Sequence, residues 1–198
     1  MYVRAYGQAE QGARSIYMAE RDEATPQRLP VRELVVLPIQ PIDRAALEQI
    51  AAALRSRGVG VQLERPVLRP RGSYDADRRQ FRAEVLLERV ALSAPRPVVG
   101  ITSGDCYAGK LNFVFGIAEP GAGTAVVSLY RLHAGATTTT FLARAMKEIF
   151  HELGHARGLG HCASSRCVMH FSNTLAETDA KGEQLCAACL QRLRPRPP

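Results

Sequence analysis

The sequence predicts an α/β (α+β) protein with a mixed, twisted sheet, crossover helices and a small C-terminal subdomain. Three observations support this fold class. Short apolar runs alternate with segments of helical periodicity over residues 33–102. Two further apolar runs then follow one another without a helix between them. Residues 158–198 are short, polar and hold four of the five cysteines, so they cannot bury much of a core unaided.

The length of 198 residues is that of one domain. We expect residues 1–30 to form an N-terminal arm, because their hydrophobic periodicity is weak. Residues 31–157 would form the sheet and its helices, ending in the helix that carries the candidate site. Residues 158–198 would form the small subdomain.

Elements in the first half of the chain follow from local patterning. The run ELVVLPI, residues 33–39, is typical of a buried strand. Asp43 is a candidate N-cap for the helix RAALEQIAAALRSRG, which Gly58 would end. The other predicted elements are a strand over 60–64, a Pro- and Arg-rich loop over 65–77, a helix over 78–92 and a strand over 98–102.

The second half begins with predicted strands over 111–118 and 124–132, separated by the turn residues EPGAG. A run of threonines, any of which can cap a helix, then opens an amphipathic segment. Gly158 is the residue type that permits a left-handed stop at its end.

The net charge of +7 comes almost entirely from arginine, and it is unevenly distributed. Residues 65–96 carry eight arginines against four acidic residues. Such a face could attract nucleic acid. Because no aromatic ladder or nucleic-acid motif accompanies the charge, we expect solvated arginines and no nucleic-acid partner.

Localisation and assembly are expectations from what the sequence lacks. No stretch approaches the roughly eighteen consecutive apolar residues of a transmembrane helix. The start MYVRAYGQAEQ has no apolar core behind basic residues, so no secretory signal is visible. We therefore expect a cytoplasmic monomer with no membrane partner. In a reducing compartment, clustered cysteines indicate metal ligands before disulfides.

The segment His151-Glu152-x-x-His155 carries the chemistry. Positions i and i+4 share a face of a helix, so both imidazoles can reach one metal ion. Glu152 is turned by about 100° from His151. It can stand beside the metal and act on a water molecule without binding the metal itself. Alone, this pentapeptide could also be a helix with two incidental histidines.

His161 strengthens the metal hypothesis. On a continuous helix it would lie about 15 Å along the axis from His151, too far for one ion with bonds of about 2 Å. A turn at Gly158 would bring His161 back as a third ligand. Three neutral histidines leave the fourth position of a tetrahedral zinc open, which is typical of catalytic sites.

Four cysteines predict a second zinc site. Cys162 and Cys167 form one close pair, and Cys186 and Cys189 form a CxxC pair. Four thiolates suit a closed, tetrahedral structural zinc. We expect two zinc ions per chain, with the Zn–S bonds holding residues 158–198 and the turn that presents His161.

These motifs together resemble the metzincin signature of zinc peptidases and, more narrowly, archaemetzincin. The resemblance rests on His-Glu-x-x-His-x-x-Gly-x-x-His, an immediate Cys, Cys-x-Met and a later CxxC. It is strong over residues 141–191 and extends upstream through GITSGDCY, LNFVFG and AVVSLYRL. One departure is the spacing of 16 residues between Met169 and Cys186, where the family has 17.

The resemblance implies a metzincin-like fold and a zinc metallopeptidase that acts on peptides or proteins, with aminopeptidase-like action. Zinc-activated water would hydrolyse the peptide bond, with Glu152 as general base and acid. Met169 would form a methionine turn beneath the metal. The resemblance implies two sets of zinc ligands. They are His151, His155 and His161 for the catalytic zinc, and Cys162, Cys167, Cys186 and Cys189 for the structural zinc.

The family's fold also implies a sheet edge beside the active-site helix, and LNFVFG is the candidate for it. An extended peptide could pair with this backbone by strand addition. The segment could equally be an ordinary strand with buried phenylalanines. His170, His133 and Cys106 are expected to be structural or incidental.

Two other functions remain open on the sequence alone. The chain could be a zinc-containing binding protein for nucleic acid or a protein partner, with an inactive or regulatory His₃ site. It could also be a zinc hydrolase with a substrate other than a peptide. Glu152 favours an enzyme over a binding protein, because a pure binding module has no need of a carboxylate beside an open metal position.

Overall fold

The computed structural model describes residues 29–193. The tail arginines after residue 193 and nearly all of the expected N-terminal arm lie outside these residues. The main sheet has four parallel strands, β1 (Glu33–Pro38), β2 (Gly60–Leu63), β5 (Val98–Thr102) and β8 (Thr124–Ser128), and one antiparallel strand, β7 (Gly116–Glu119). Their order is β2-β1-β5-β8-β7, which confirms the predicted mixed sheet.

A smaller sheet takes two of its strands from the region predicted as an Arg-rich loop and helix, and its third strand from residues 106–107. It has the order β3-β4-β6, where β3 is Tyr74–Asp75, β4 is Gln80–Arg82 and β6 is Cys106–Tyr107.

Helices cover both faces of the main sheet. The helices are α1 (Arg44–Ser56), α2 (Ala83–Ser93), α3 (Thr138–Ala156), α4 (Leu175–Ala180) and α5 (Ala187–Leu193). Helices α1 and α3 pack with one face of the sheet around Val99, Ile101 and Val127, whereas α2 packs on the other face around Val98 and Val126. Among the described residues, β7 forms the edge of the main sheet next to α3.

Helix boundaries that depend on local signals are confirmed. Asp43 caps α1 by accepting bonds from the N–H groups of Ala45 and Ala46, at 2.9 and 3.2 Å. Gly58 follows α1 with a φ of 75°, a backbone conformation that suits glycine.

Three sequence predictions are wrong in their bounds. The helix predicted over 78–92 begins only at Ala83, because residues 80–82 form β4 and pair with β3 and β6. The strand predicted over 111–118 is regular only from Gly116. The strand predicted over 124–132 ends at Ser128, and Arg131–His133 form a short 3-10 helix.

Two arginines of the basic segment 65–96 make contacts within the molecule, whereas the sequence predicts solvated arginines. Arg78 donates to the backbone oxygens of Leu111 and Asn112 at 2.7 and 3.2 Å, and its guanidinium lies 4.1 Å from the centroid of the Tyr107 ring. Arg69 lies over the Tyr74 ring at 5.4 Å. No helix within residues 29–193 has the length and apolar character to span a membrane.

The C-terminal segment shares the main core, which the sequence did not lead us to expect. Cys167, Val168, Met169 and Leu185 are at most 1% exposed and belong to the same apolar cluster as the face of the sheet that α3 covers. Metal is therefore not the only attachment of residues 158–193 to the rest of the molecule.

Candidate metal centre

The turn at the end of α3 brings His161 back to the two helical histidines. Gly158 has a φ of 85° and donates its N–H to His155 O at 2.8 Å, while Leu159 N–H donates to Gly154 O at 2.9 Å. This pair of bonds is the Schellman arrangement of a helix end, in which glycine provides the left-handed residue. The helix stop predicted at Gly158 is confirmed.

The three imidazoles converge on one point. One ring nitrogen from each of His151, His155 and His161 lies within 4.8 Å of the others. The Nε2 atoms of His151 and His155 are 3.0 Å apart. A tetrahedral zinc with Zn–N bonds of about 2 Å would place its ligand nitrogens about 3.3 Å apart, so small adjustments would complete such a site.

Backbone carbonyls set the tautomers of the two helical histidines. His151 Nδ1 lies 2.8 Å from Val168 O, and His155 Nδ1 lies 2.7 Å from Leu159 O. An Nδ1–H that donates to a carbonyl leaves the Nε2 lone pair free to bind a metal. Two lone pairs that face each other at 3.0 Å repel unless a cation lies between them. The residues present therefore fit a metal ion.

Burial keeps these histidines neutral. It lowers the pKa of His151 to about 3, and the nearby ammonium of Lys181 acts in the same direction. Burial also lowers the pKa of His155 and that of His161. Neutral imidazole is the form that binds metal, so the site is prepared for a cation at neutral pH.

Met169 forms the floor under the helical histidines. It is fully buried, and its backbone oxygen accepts a bond from Cys162 N–H at 2.9 Å. A Cβ atom at Gly154 would lie 2.2 Å from Met169 Sδ, so only glycine at that position lets the thioether approach the helix. Met169 thus packs against the helix that carries His151 and His155.

Glu152 lies between the histidines and the edge strand. Its side chain is 6% exposed, and a Cβ at Gly116 of β7 would come within 2.6 Å of its Cγ. Burial, together with the nearby carboxylate of Glu148, raises the pKa of Glu152 to about 8. A bound cation would oppose this shift by stabilising the ionised carboxylate.

A cavity of about 360 Å³ connects these groups. Its polar side includes the three histidines, Glu152 and Glu148. Its apolar side includes Leu111, Phe113 and Ile117 from the edge segment. Phe171, two residues after Met169, forms another part of the wall, and its ring centroid lies 4.8 Å from that of His161.

The four predicted cysteines also come together, and all are free thiols. The Sγ atoms of Cys162, Cys167, Cys186 and Cys189 lie within 4.8 Å of one another. Cys162 Sγ and Cys186 Sγ are 3.8 Å apart, which is about the S···S separation of a tetrahedral zinc with Zn–S bonds of about 2.3 Å. A disulfide would need about 2 Å, so the geometry fits a metal ion.

Backbone donors make one of these thiols acidic. The N–H of Cys189 lowers the pKa of Cys186 to about 7, whereas burial raises the pKa of Cys167 and of Cys189. A thiol with this pKa is partly ionised at neutral pH and can begin to bind a cation, which then promotes ionisation of the others.

Comparison with known proteins decides the family. The sequence profile of Peptidase family M54 matches residues 77–195, which is more than half of the chain. The chain belongs to peptidase family M54. An archaemetzincin of Pyrococcus furiosus is 39% identical over 180 residues, covering 82% of this chain and 93% of that protein. An archaemetzincin from Archaeoglobus fulgidus is 40% identical over 121 residues, covering 61% of this chain and 73% of that protein.

Solved structures agree with the M54 assignment. A crystal structure of archaemetzincin from Archaeoglobus fulgidus in complex with malonate has a TM-score of 0.72 and 31% identity, covering 81% of this chain and 99% of that one. A crystal structure of archaemetzincin from Methanopyrus kandleri also has a TM-score of 0.72. Its sequence identity is 33%, and the match covers 83% of this chain and 94% of that one. The predicted fold class and family are therefore confirmed. This M54 chain is a zinc metallopeptidase, and its substrates are peptides or proteins.

Some residues of the M54 site were missed by sequence reasoning. Glu148 lines the cavity one helical turn before Glu152 and is 3% exposed. Because Glu148 precedes Glu152 by four residues on α3, the two lie on the same face of the helix, and the sequence could have indicated this. The buried Lys181 and the carbonyls of Val168 and Leu159 carry no such signal, because only the tertiary fold brings them to α3.

The remaining histidines and Cys106 make structural contacts. His170 Nδ1 lies 3.0 Å from Cys162 O, and the His133 ring stacks on Phe141 with centroids 3.8 Å apart. Cys106 is buried, and its Sγ contacts Gly104 O at 3.6 Å.

Proposed function

We propose that His151, His155 and His161 hold the catalytic zinc and that Glu152 is the general base and general acid of peptide hydrolysis. The observation that carries the proposal is the convergence of three neutral imidazoles beside a buried carboxylate, in a cavity that borders a sheet edge. We also propose that Met169 forms the methionine turn of this centre.

In the proposed mechanism, zinc would act as the Lewis acid and Glu152 transfers the proton. When bound, zinc would polarise the scissile carbonyl and make a water molecule more acidic. Glu152 accepts the proton of the attacking water and delivers it to the leaving amine. The carbonyls of Val168 and Leu159 hold the rings of His151 and His155 in the orientation that the ion needs.

The edge strand offers a backbone for the substrate. Phe115 O accepts a bond from Ser128 N, and Ile117 lies opposite Val126 of β8. Because hydrogen-bonded and non-bonded positions alternate in an antiparallel pair, the N–H and C=O groups of Gly116 and Ala118 point away from β8. An extended peptide that adds antiparallel to β7 would bond to these groups and pass beside Glu152.

Aminopeptidase-like action is a finer part of the proposal. Along an antiparallel peptide, the amino-terminal part would lie near the carboxyl end of β7. The exposed Glu119 lies three residues beyond Gly116, about 10 Å along the strand, and has the charge that would attract the α-ammonium group of a peptide cut about three residues from its amino terminus. Peptides that differ only in acetylation of the amino terminus would distinguish the modes, since an aminopeptidase cleaves only the free form.

We further propose a second, structural zinc bound by Cys162, Cys167, Cys186 and Cys189. The clustering of four sulfur atoms within 4.8 Å and the acidic Cys186 thiol support it. The role of this ion would be to hold the segment that presents His161 and Met169.

The test of the catalytic proposal is Glu152→Ala, with Glu48→Ala on the exposed face of α1 as the control. Wild type, test and control would digest a peptide library, and bound zinc would be counted in the same samples. We expect a loss of hydrolysis of at least about 10³-fold in Glu152→Ala with zinc retained, because proton transfer is lost but the ligands remain. Normal hydrolysis by this variant would refute the assigned role of Glu152.

A further inference from the structure

A second cavity of about 570 Å³ adjoins the one that contains the metal centre. It is lined by Phe113, Phe115, Tyr130, Arg131, His133 and Leu175, with Ala134 beside them. Phe113 and Phe115 line both cavities, and their ring centroids are 5.2 Å apart in an edge-on arrangement. The two cavities are therefore adjacent and share this aromatic wall.

The direction of the edge strand decides which part of a peptide reaches this cavity. Gly116 lies beside Glu152, and Phe115 and Phe113 precede it in the chain. A peptide antiparallel to β7 runs from the level of Glu119 towards Phe113. Val114 N–H already donates to Cys106 O at 2.9 Å, so pairing of the peptide with the edge would end at Gly116. The residues after the scissile bond would leave the edge beside Phe115 and Phe113, and an extended chain advances only about 3.3 Å per residue. The second or third of them would reach the second cavity.

The lining of the cavity favours an uncharged aromatic group. The guanidinium of Arg131 is bound by both carboxylate oxygens of Asp105 at 2.8 Å, so its charge is already compensated. It also lies 4.2 Å from the centroid of the Phe113 ring. Tyr130 is 58% exposed at the cavity although it is a large, mainly apolar side chain. Aromatic rings attract one another in tilted or offset arrangements.

Hydrogen bonds from α3 hold the backbone of residues 130–134, most of which line this cavity. Arg144 of α3, itself 7% exposed, donates from Nη1 to Leu132 O at 3.1 Å and to Ala134 O at 2.8 Å. The Tyr130–Ala134 segment is thus anchored to the active-site helix. A ligand would meet a wall that is already formed and would lose less affinity to ordering it.

We propose that this cavity is a substrate subsite that binds an aromatic side chain two or three residues after the scissile bond. The inference rests on the proposed function, because that function sets where the scissile bond lies. It defines the substrates more narrowly, as peptides with Phe, Tyr or Trp at one of these positions.

The experiment uses peptide hydroxamates on the zinc-loaded full chain, because a hydroxamate binds zinc without being hydrolysed. Three ligands are compared by calorimetry: an all-alanine peptide that follows the hydroxamate, and the same peptide with Phe at the second or at the third residue. We expect one Phe ligand to bind about tenfold more tightly than the alanine ligand. In Tyr130→Ala, and separately in Leu175→Ala, this gain should fall to about threefold or less. Leu92→Ala, at a position 86% exposed on α2, should keep the full gain.

Equal binding of all three ligands would overturn the proposal, as would a gain that survives in both cavity variants. The same wild-type preparation also digests the peptide library, which separates the two levels of inference. Library cleavage together with equal hydroxamate binding contradicts the subsite alone. Selective hydroxamate binding without any cleavage contradicts the proposed function alone. Binding of none of the ligands contradicts an open metal site and overturns both.

Discussion

Gly154 lies inside α3, where glycine is less stable than alanine by about 1 kcal/mol. The contact with Met169 explains its presence, since a Cβ there would lie 2.2 Å from the sulfur atom and 3.0 Å from Cε. The residue thus allows Met169 to pack directly under the two turns of helix that carry His151 and His155. Gly116 has a similar role opposite Glu152.

Gly154→Ala should lower both stability and hydrolysis. Overpacking of a buried site typically costs about 1–3 kcal/mol, and the gain in helix propensity offsets only part of it. We expect a net destabilisation of roughly 1 kcal/mol, measured by urea unfolding, and weaker zinc retention as the floor of the site shifts. Gly160→Ala is the matched control, because a Cβ there meets nothing within 4 Å. Equal stability of the two variants would show that Met169 adapts without cost.

At the scale of elements, α3 is joined to α4 by buried polar groups. Lys181 Nζ lies 3.0 Å from Glu148 Oε1, with the two side chains only 1% and 4% exposed. Thr178 donates its hydroxyl to the same oxygen at 3.1 Å. Within the described residues, Lys181 Nζ makes no well-oriented hydrogen bond, so its contact with Glu148 is an ion pair. Glu148 therefore depends on Lys181 for charge compensation, and it borders the cavity of the metal centre.

Two more contacts complete this connection. Lys147 donates to Thr178 O and Asp179 O at 3.0 and 2.7 Å, at the end of α4. Arg144 binds both carboxylate oxygens of Asp179 at 2.7 Å. The residues 144, 147 and 148 thus fix the position of α4 along the active-site helix.

Lys181→Met should be strongly destabilising, by about 3–5 kcal/mol, because it leaves the Glu148 carboxylate buried without a partner. Glu148→Met should also destabilise, since it leaves the ammonium unpaired. The double variant should recover most of the loss, because apolar side chains of similar volume replace a buried ion pair at little cost. Urea unfolding of the four proteins measures this coupling. A double variant whose loss equals the sum of the two single losses would show that the groups are not coupled.

At the scale of the whole molecule, the C-terminal segment is held in three ways. Val168, Met169 and Leu185 join the main core, the polar contacts connect α4 with α3, and the four cysteines cluster beside His161. Arg57, which follows α1, adds a bond to Glu183 at 2.9 Å. The proposed structural zinc would therefore reinforce an attached segment rather than provide its only link.

Cys186→Ser tests that role. We expect bound zinc to fall from two ions to one per chain. Loss of a structural metal should lower stability on the order of 3 kcal/mol, which is a fall in Tm of roughly 6–12 °C for a chain of this size. Cys106→Ser alters a buried thiol outside the cluster and should keep both ions. Metal analysis and calorimetry on both variants check this, and two zinc ions retained by Cys186→Ser would refute the site.

The sequence alone was sufficient wherever the determining interactions are local. His151 and His155 share a face because a helix repeats every 3.6 residues, and Gly158 ends that helix because glycine adopts a positive φ readily. The cap at Asp43 and the strand of residues 33–38 also follow from short-range patterns. The spacing of the cysteines likewise predicted a cluster that the structure contains.

The tertiary structure alone decided features that depend on partners distant in the chain. Residues 80–82 resemble the start of a helix, yet pairing with β3 and β6 makes them a strand. Residues 111–115 have strand-like patterning, but Arg78 and Gln80 bind the carbonyls of Leu111 and Asn112, and regular pairing starts only at Gly116. The carbonyls that orient the histidines and the Lys181–Glu148 pair arise in the same way. Local periodicity carries no information about such contacts, because their energy comes from groups that meet only when the chain has folded.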